Sequence, residues 1–376
     1  VGALRPTALL VLVVTIVTGV WVSARPAADG ATDGALTAAL AVAPADLQSI
    51  DVTDWSALRE QLAGGQRGDE LDDAERQQLV SDAAAADLST RSVLVDGTTV
   101  IGDLLGWSPA TVAWEAYVQA ASEGALLVGL PTGIAETEER LEAGGWVRED
   151  DSDLWTIEPS VLRQEGIGSA GLGSAELYRN VRLLPSRGVA IVSSSAEHAA
   201  RLAAVSEGEV RGAAADPGLV QLARELDGLD TVLLQSGAIG CASTDPAQGS
   251  GDVVAQAAAA VQGAGELREY RWLARGIDAS TAGGGDSASG GGRAGGEDDV
   301  FRLALALDGG ALAADQAGVR AALATGPFIG QSGTVEDTIE LIDARADGSV
   351  AVLDFTLQPR AVALMAARGP FLPAAC

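Results

Sequence analysis

The spacing of apolar and polar positions changes along this chain, and each change marks an element. Thr7–Val22 (TALLVLVVTIVTGVWV) is sixteen residues without a charge. It has no polar face, which argues against a surface helix of a folded unit. From residue 47 onward the apolar runs are short and bounded by turn residues. Leu47–Val52 reads as a strand, and Thr53 or Asp54 then caps a helix over Trp55–Leu62 that stops at Gly64-Gly65. A helix over Asp72–Asp87 opens with acids, as the helix dipole favours. Val93–Val95 reads as a strand before the turn pair Asp96-Gly97. Ser108 and Pro109 suit the N-cap and first position of a helix. That helix would set Val112, Glu115 and Ala116 near one face and Trp114, Tyr117 and Val118 on another.

The pattern then repeats an order. Ala125–Leu130 is a strand, Ala135–Ala143 a helix, Trp146–Arg148 and Leu154–Ile157 a hairpin. A second hairpin pairs Asn180–Leu184 with Gly188–Val192, and Ser195 opens a helix running to Val205. Later, Val300–Ala306 is a strand, Ala311–Ala324 a helix, Thr338–Ile342 and Ser349–Phe355 a hairpin, and Pro359–Arg368 a closing helix. Both segments read strand, helix, hairpin, helix, which predicts two related units from an internal duplication. Between them lie a helix over Asp216–Leu226, a strand over Thr231–Gln235 and an alternating strand over Leu267–Ala274, expected to pair with Phe301–Leu307.

The fold class expected is therefore α+β: two related units of mainly antiparallel sheet with helices packed on it, preceded by one N-terminal transmembrane or signal helix. The regions are 1–25 (anchor or signal), 26–47 (linker), 48–124 (mainly helical), 125–230 (first unit) and 231–376 (second unit). The Gly-rich segment 279–299 cannot bury apolar surface and is expected to be disordered.

The flanks of Thr7–Val22 give it a direction. Arg5 precedes it and no acid occurs before Asp29, the layout of an export signal. As a helix it spans about 24 Å at ~1.5 Å per residue, short of the ~30 Å hydrocarbon core. An uncleaved anchor and a signal cleaved after Ala24 both remain open. Either puts residues 26–376 outside the cytoplasm, on the membrane or secreted.

Charge narrows the partners. Beyond Arg25 the chain holds 22 Arg against 52 Asp and Glu. Such a surface repels nucleic acid and anionic membrane surfaces. All 24 basic residues are Arg. Without Lys there is no Walker-type lysine, Schiff base or Ser-Lys pair. One histidine excludes zinc sites built on two or three His, and two cysteines exclude Cys₄ zinc and four-Cys iron–sulfur sites. No cofactor, metal or catalytic residue is assigned.

Leu105-Gly106-Trp107-Ser108, with Trp114-Glu115 following, resembles a motif of uncharacterised exported or membrane-anchored proteins of actinobacteria. The resemblance is confined to Asp103–Tyr117 and implies no activity. Trp107, Trp114 and Tyr117 read either as core anchors or as an aromatic patch for a ligand.

Cys241 and Cys376 carry the firmest chemical expectation: two cysteines in an exported chain imply one disulfide. Other motifs are weaker. Gly166-Ile-Gly168-Ser-Ala-Gly171 matches G-x-G-x-x-G but lacks the preceding strand that a dinucleotide site needs. Ser195 and His198 share one helix without a nucleophile elbow, so His198 reads as a surface residue. The acids Glu149–Asp153 read as a solvated hairpin tip rather than a calcium site. The function expected is an extracytoplasmic, membrane-anchored envelope protein that binds or scaffolds. Its partners would be the membrane, through the N-terminal helix, and an envelope protein or lipid. The alternatives are a protein holding a lipid or other envelope component in an apolar pocket, and a carboxylate-based hydrolase.

Overall fold

Residues of alternating character do pair into strands, and the strands form one sheet rather than two. The computed structural model describes residues 34–278, 300–357 and 371–376, apart from 65, 67, 69, 87, 90–91, 97, 122, 132, 150–152, 169–173, 327, 330–332 and 338. The apolar stretch Thr7–Val22, segment 279–299 and the expected closing helix Pro359–Arg368 lie outside the described residues. Among those described, no helix is long and apolar enough to cross a membrane.

The strands are β1 (Leu47–Thr53), β2 (Trp114–Ala120), β3 (Gly124–Gly129), β4 (Val147–Arg148), β5 (Leu154–Thr156), β6 (Asn180–Leu184), β7 (Val189–Ser193), β8 (Thr231–Ser236), β9 (Trp272–Asp278), β10 (Val300–Ala306), β11 (Ile339–Asp347) and β12 (Val350–Leu357). Their order is β11-β12-β10-β9-β8-β1-β2-β3-β7-β6-β5-β4, with every pairing antiparallel. Outward from the β1–β8 seam the two wings repeat one succession: β1, β2, β3, β7, β6 on one side, and β8, β9, β10, β12, β11 on the other.

The helices are α1 (Ala35–Leu40), α2 (Trp55–Leu62), α3 (Asp73–Ala85), α4 (Val93–Asp96), α5 (Thr98–Leu105), α6 (Ile134–Ala143), α7 (Pro159–Gln164), α8 (Ala196–Ser206), α9 (Pro217–Glu225), α10 (Gly237–Thr244), α11 (Gly251–Ala264) and α12 (Gly310–Leu323). The period of two along each strand sends alternate side chains into two separate apolar layers. One layer joins Leu126, Val128, Leu273, Phe301, Leu303 and Leu353 to α2, α5, α6 and α12. The other joins Ile50, Val52, Val118, Leu127, Val232 and Leu234 to α1, α8 and α9. We call these the first and second faces. Phe301, Phe355 and Phe371 pack ring against ring in the first, with centroids 5.7–6.3 Å apart.

Several expectations change. The three regions expected over 48–376 share one continuous sheet, because β1 pairs with both β2 and β8. The described part of the expected linker, residues 34–47, is folded: Leu36, Ala39, Leu40, Val42 and Ala43 are buried in the second face. Its small residues suit close packing on the sheet. The segment expected to be helical around Trp114–Val118 is the strand β2. Two neighbouring ladders satisfy its backbone on both sides, which outweighs the capping signal at Ser108. That signal closes only a turn, in which Thr111 Oγ1 accepts from Ser108 N at 2.9 Å and donates to Gly106 O at 2.7 Å. Val93–Val95, expected as a strand, belongs to helix α4. The strand expected at Leu267 begins at Trp272, and α10 and α11 were not expected.

Candidate functional site

Polar side chains reach the sheet at the β10–β12–β11 end of the second face, where Arg302 and Arg345 pair with Asp354, and along the centre of the first face. There β1, β2 and β8 lie side by side. Their second-face residues Ile50, Val52, Ala116, Val118, Val232 and Leu234 are all buried. The residues pointing the other way include Ser49 and Asp51 on β1, Tyr117 and Gln119 on β2, and Gln235 on β8. All five are polar and only partly buried. Registry sets Gln119, Ser49 and Gln235 in one row and Tyr117, Asp51 and Leu233 in the next, neighbours being ~4.8 Å apart across the ladder. The chain thus builds a polar, half-open floor at the seam between the two wings.

Local contacts hold this floor. Gln119 Nε2 donates to Ala120 O at 2.9 Å. The phenol end of Tyr117 lies over Gly124 of β3, where there is no room for a Cβ. Burial, and then the Asp51 carboxylate, push the Tyr117 hydroxyl above its ordinary value, so it stays protonated at neutral pH. Ser243 of α10 reaches Gln235 Oε1 at 3.5 Å. On the β9 side, Arg275 lies buried beside Leu233 in the same row.

A buried clasp stands at each side of the seam. On the β2 side, Glu115 is enclosed. Its Oε1 accepts the Trp55 indole N–H at 2.8 Å, and its Oε2 accepts the N–H groups of Val93 and Leu94 at 3.0 and 3.1 Å. It therefore ties α2 and the start of α4 to the sheet. Burial pushes its carboxyl up, opposed by bonds from Ser92, Trp55, Leu94 and Val93. Arg59 of α2 donates to Pro109 O at 2.8 Å and Val112 O at 2.7 Å. The Leu-Gly-Trp-Ser…Trp-Glu stretch is thus packing and clasp: Trp107 is core, and Glu115 is its hydrogen-bonding centre.

On the β9 side, the clasp holds residues 371–376. Arg320 of α12 is fully buried and donates to Pro373 O at 2.7 Å, Ala375 O at 2.8 Å and Arg268 O at 2.8 Å, beside the Tyr270 ring. Burial brings its guanidinium down to about 10, leaving it charged at neutral pH. Tyr270 Oη and Thr244 Oγ1 both donate to Ala374 O, at 2.9 and 3.1 Å. Cys241 of α10 is disulfide-bonded to Cys376, with Cα atoms 5.3 Å apart.

The aromatic trio does not form one patch. Trp107 is buried among first-face side chains, Tyr117 flanks that layer, and Trp114 packs against the second. Three positions apart on a strand, Trp114 and Tyr117 point to opposite faces. Of the three, Tyr117 alone belongs to the seam. Gly166–Gly168 follows helix α7, so the strand a dinucleotide motif requires is missing from its place. Ser195 Oγ caps α8 by accepting from His198 N at 3.1 Å. His198 is not at the surface: it sits on the buried side of α8, with Nδ1 3.1 Å from Glu123 Oε2. Arg148 pairs with Asp153 at 2.7 Å across the hairpin base. Among the described residues no group of three or more His, Cys, Asp or Glu gathers to hold a metal ion.

Two surface concavities lie away from the seam. One, about 770 Å³, is flanked by Val147, Ile157, Arg179 and Ser195; the other, about 470 Å³, by Pro217, Gln221, Arg224 and Asp347. Ser49, Asp51 and Gln235 were legible in sequence as polar positions within strands, whereas Tyr117 was expected on a helix. Their convergence depends on the long-range β1–β2 and β1–β8 pairings, which no local signal announces. No family profile, curated protein or solved structure matches the chain.

Proposed function

We propose that this is an extracytoplasmic envelope protein, tethered by Thr7–Val22, that binds or scaffolds a partner through the polar seam at the centre of its sheet. The observation that carries the binding role is the row of partly exposed polar side chains Ser49, Asp51, Tyr117, Gln119 and Gln235 across β1, β2 and β8, at the junction of the two wings. We read this floor as the recognition surface because it lies where the two wings of the sheet join. The apolar layers on both faces are filled with fully buried side chains, which favours a surface partner over an apolar ligand inside the core. The compartment is supported by the Cys241–Cys376 bond, since such bridges persist in oxidising surroundings. The repeated strand succession supports an origin by internal duplication, with the seam at the junction of the copies.

Cell fractionation with alkylation before and after reduction tests this reading. The full-length chain is expected in the membrane fraction, with both cysteines alkylated only after reduction, and with a partner that co-purifies from detergent extracts. A cytoplasmic chain with two reactive thiols would defeat it.

A further inference from the structure

His198 is the single histidine of the chain, and its imidazole is fully enclosed. Nδ1 lies 3.1 Å from Glu123 Oε2, in the loop between β2 and β3. Nε2 meets no hydrogen-bond partner among the described residues. A neutral imidazole tolerates this, because one nitrogen carries the proton toward Glu123 and the other stays bare. A charged imidazole carries a second N–H into a place without an acceptor.

The surroundings oppose that charge further. His198 is the third residue of α8, in the first turn, where the helix dipole disfavours a cation. Arg201, on the same helix, adds its positive charge, and Arg182 of β6 lies on the face that α8 covers, opposite Ile191 of β7. Two carboxylates favour the charge. Glu123 is 39% exposed and screened by solvent, and Asp46, ahead of β1, is already bonded to Arg201 at 3.2 Å. Burial outweighs both and brings the imidazole below its ordinary value, so it is neutral at neutral pH. His198 also holds the start of α8 through its backbone, whose N–H donates to Ser195 Oγ at 3.1 Å. Ser194, Ser195 and Ala196, at that same end, line the concavity of about 770 Å³.

We propose that His198 is an acid-sensitive latch. Neutral, it seats the first turn of α8 on the sheet; protonated, it frees that turn and with it the wall of the concavity at Ser194–Ala196. A freed imidazole takes up its proton near pH 6.5 and the seated one only below that. The latch is therefore complete above pH 6.5 and is lost as pH falls from there through the seated value. Histidine is the side chain whose ordinary charge change falls between about pH 5 and 8, and the chain carries it once, at this joint. The proposal does not depend on the reading of the seam.

Nuclear magnetic resonance titration of the full-length chain in detergent reads the one imidazole directly. Its midpoint is expected below 6.5; a midpoint at or above that value overturns the proposal. Hydrogen exchange at about pH 7.5 and about pH 5, corrected for the intrinsic rate, is expected to show residues 194–206 losing protection at least about threefold on acidification. Helix α12, on the first face, should keep its protection. His198→Gln is uncharged at both pH values and should abolish the difference. No loss in the parent chain, or the same loss in His198→Gln, overturns the latch. Glu123→Gln removes a carboxylate that favours the charge, so it should lower the imidazole midpoint further, and it carries the test if His198→Gln fails to fold. An unchanged or raised midpoint in Glu123→Gln also overturns the proposal.

Discussion

Replacing Cys241 and Cys376 together by Ala isolates what the disulfide contributes. The bond closes a segment with a sequence separation of 135. In the loop-entropy relation this removes about 17 cal/mol/K from the unfolded ensemble, or roughly 5 kcal/mol at 25 °C. In the folded state the bond is one of several restraints on the same segment. Arg320, Tyr270 and Thr244 hold the carbonyls of 373–375, and Phe371 packs between Phe301 and Phe355. The double variant should therefore keep its native fold and lose stability chiefly through a freer unfolded chain. Urea titration followed by tryptophan fluorescence, on the parent and the double variant, measures the difference. The expected loss is ~3–5 kcal/mol, since real bridges often deliver less than the relation gives. Near-ultraviolet circular dichroism should be unchanged in the absence of urea. A loss under ~1 kcal/mol with native spectra would refute the entropic account. A changed native spectrum would show that the bond, not the clasp, docks residues 371–376.

Glu115 makes stability depend on pH in a direction fixed by its burial. The folded chain keeps its proton above pH 4.5, where the unfolded chain releases it, so this stabilisation is complete below 4.5 and lost as pH rises through the folded value. Glu115→Gln should flatten that part of the urea-midpoint profile between acidic and neutral pH; an unchanged slope would place the dependence elsewhere. Arg320→Met removes three donors to buried carbonyls while relieving a buried charge. A net loss of roughly 1–3 kcal/mol is expected, with faster hydrogen exchange at 371–376 than in the parent chain. At the surface, Asp72 and Glu75 form a reciprocal cap on α3. Asp72→Ala should cost about 1 kcal/mol in urea denaturation, and no change would mean α3 adds nothing to the cooperative unit.

Legibility in the sequence followed the range of the interactions. Helices with strong local caps appear where the sequence places them: Asp54 accepts from Ala57 N at the start of α2, and Ser195 from His198 N at the start of α8. Hairpins with short loops, β6–β7 and β11–β12, also appear as read. The errors fall where a tertiary partner outvotes local preference. Trp114–Ala120 carries a credible helix start upstream, yet two flanking strands claim its backbone. Val93–Val95 has the composition of a strand, but the Glu115 carboxylate accepts two of its N–H groups and holds it as a helix. His198 read as a surface residue because it shares one helix with Ser195 and no nucleophile elbow is present, and only the packing of α8 on the sheet buries it.

By itself the sequence determined the α+β class, the antiparallel hairpins, the acidic surface and the pairing of Cys241 with Cys376. Each of these follows from local spacing, composition or the presence of only two thiols. Tertiary structure alone decided that the two units share one twelve-stranded sheet joined at β1–β8. That pairing links residues about half the chain apart, and nothing local to either strand encodes its neighbour. The polar seam needs that pairing and the β1–β2 one: Ser49, Asp51, Tyr117, Gln119 and Gln235 are scattered polar positions in the sequence and neighbouring side chains in the fold.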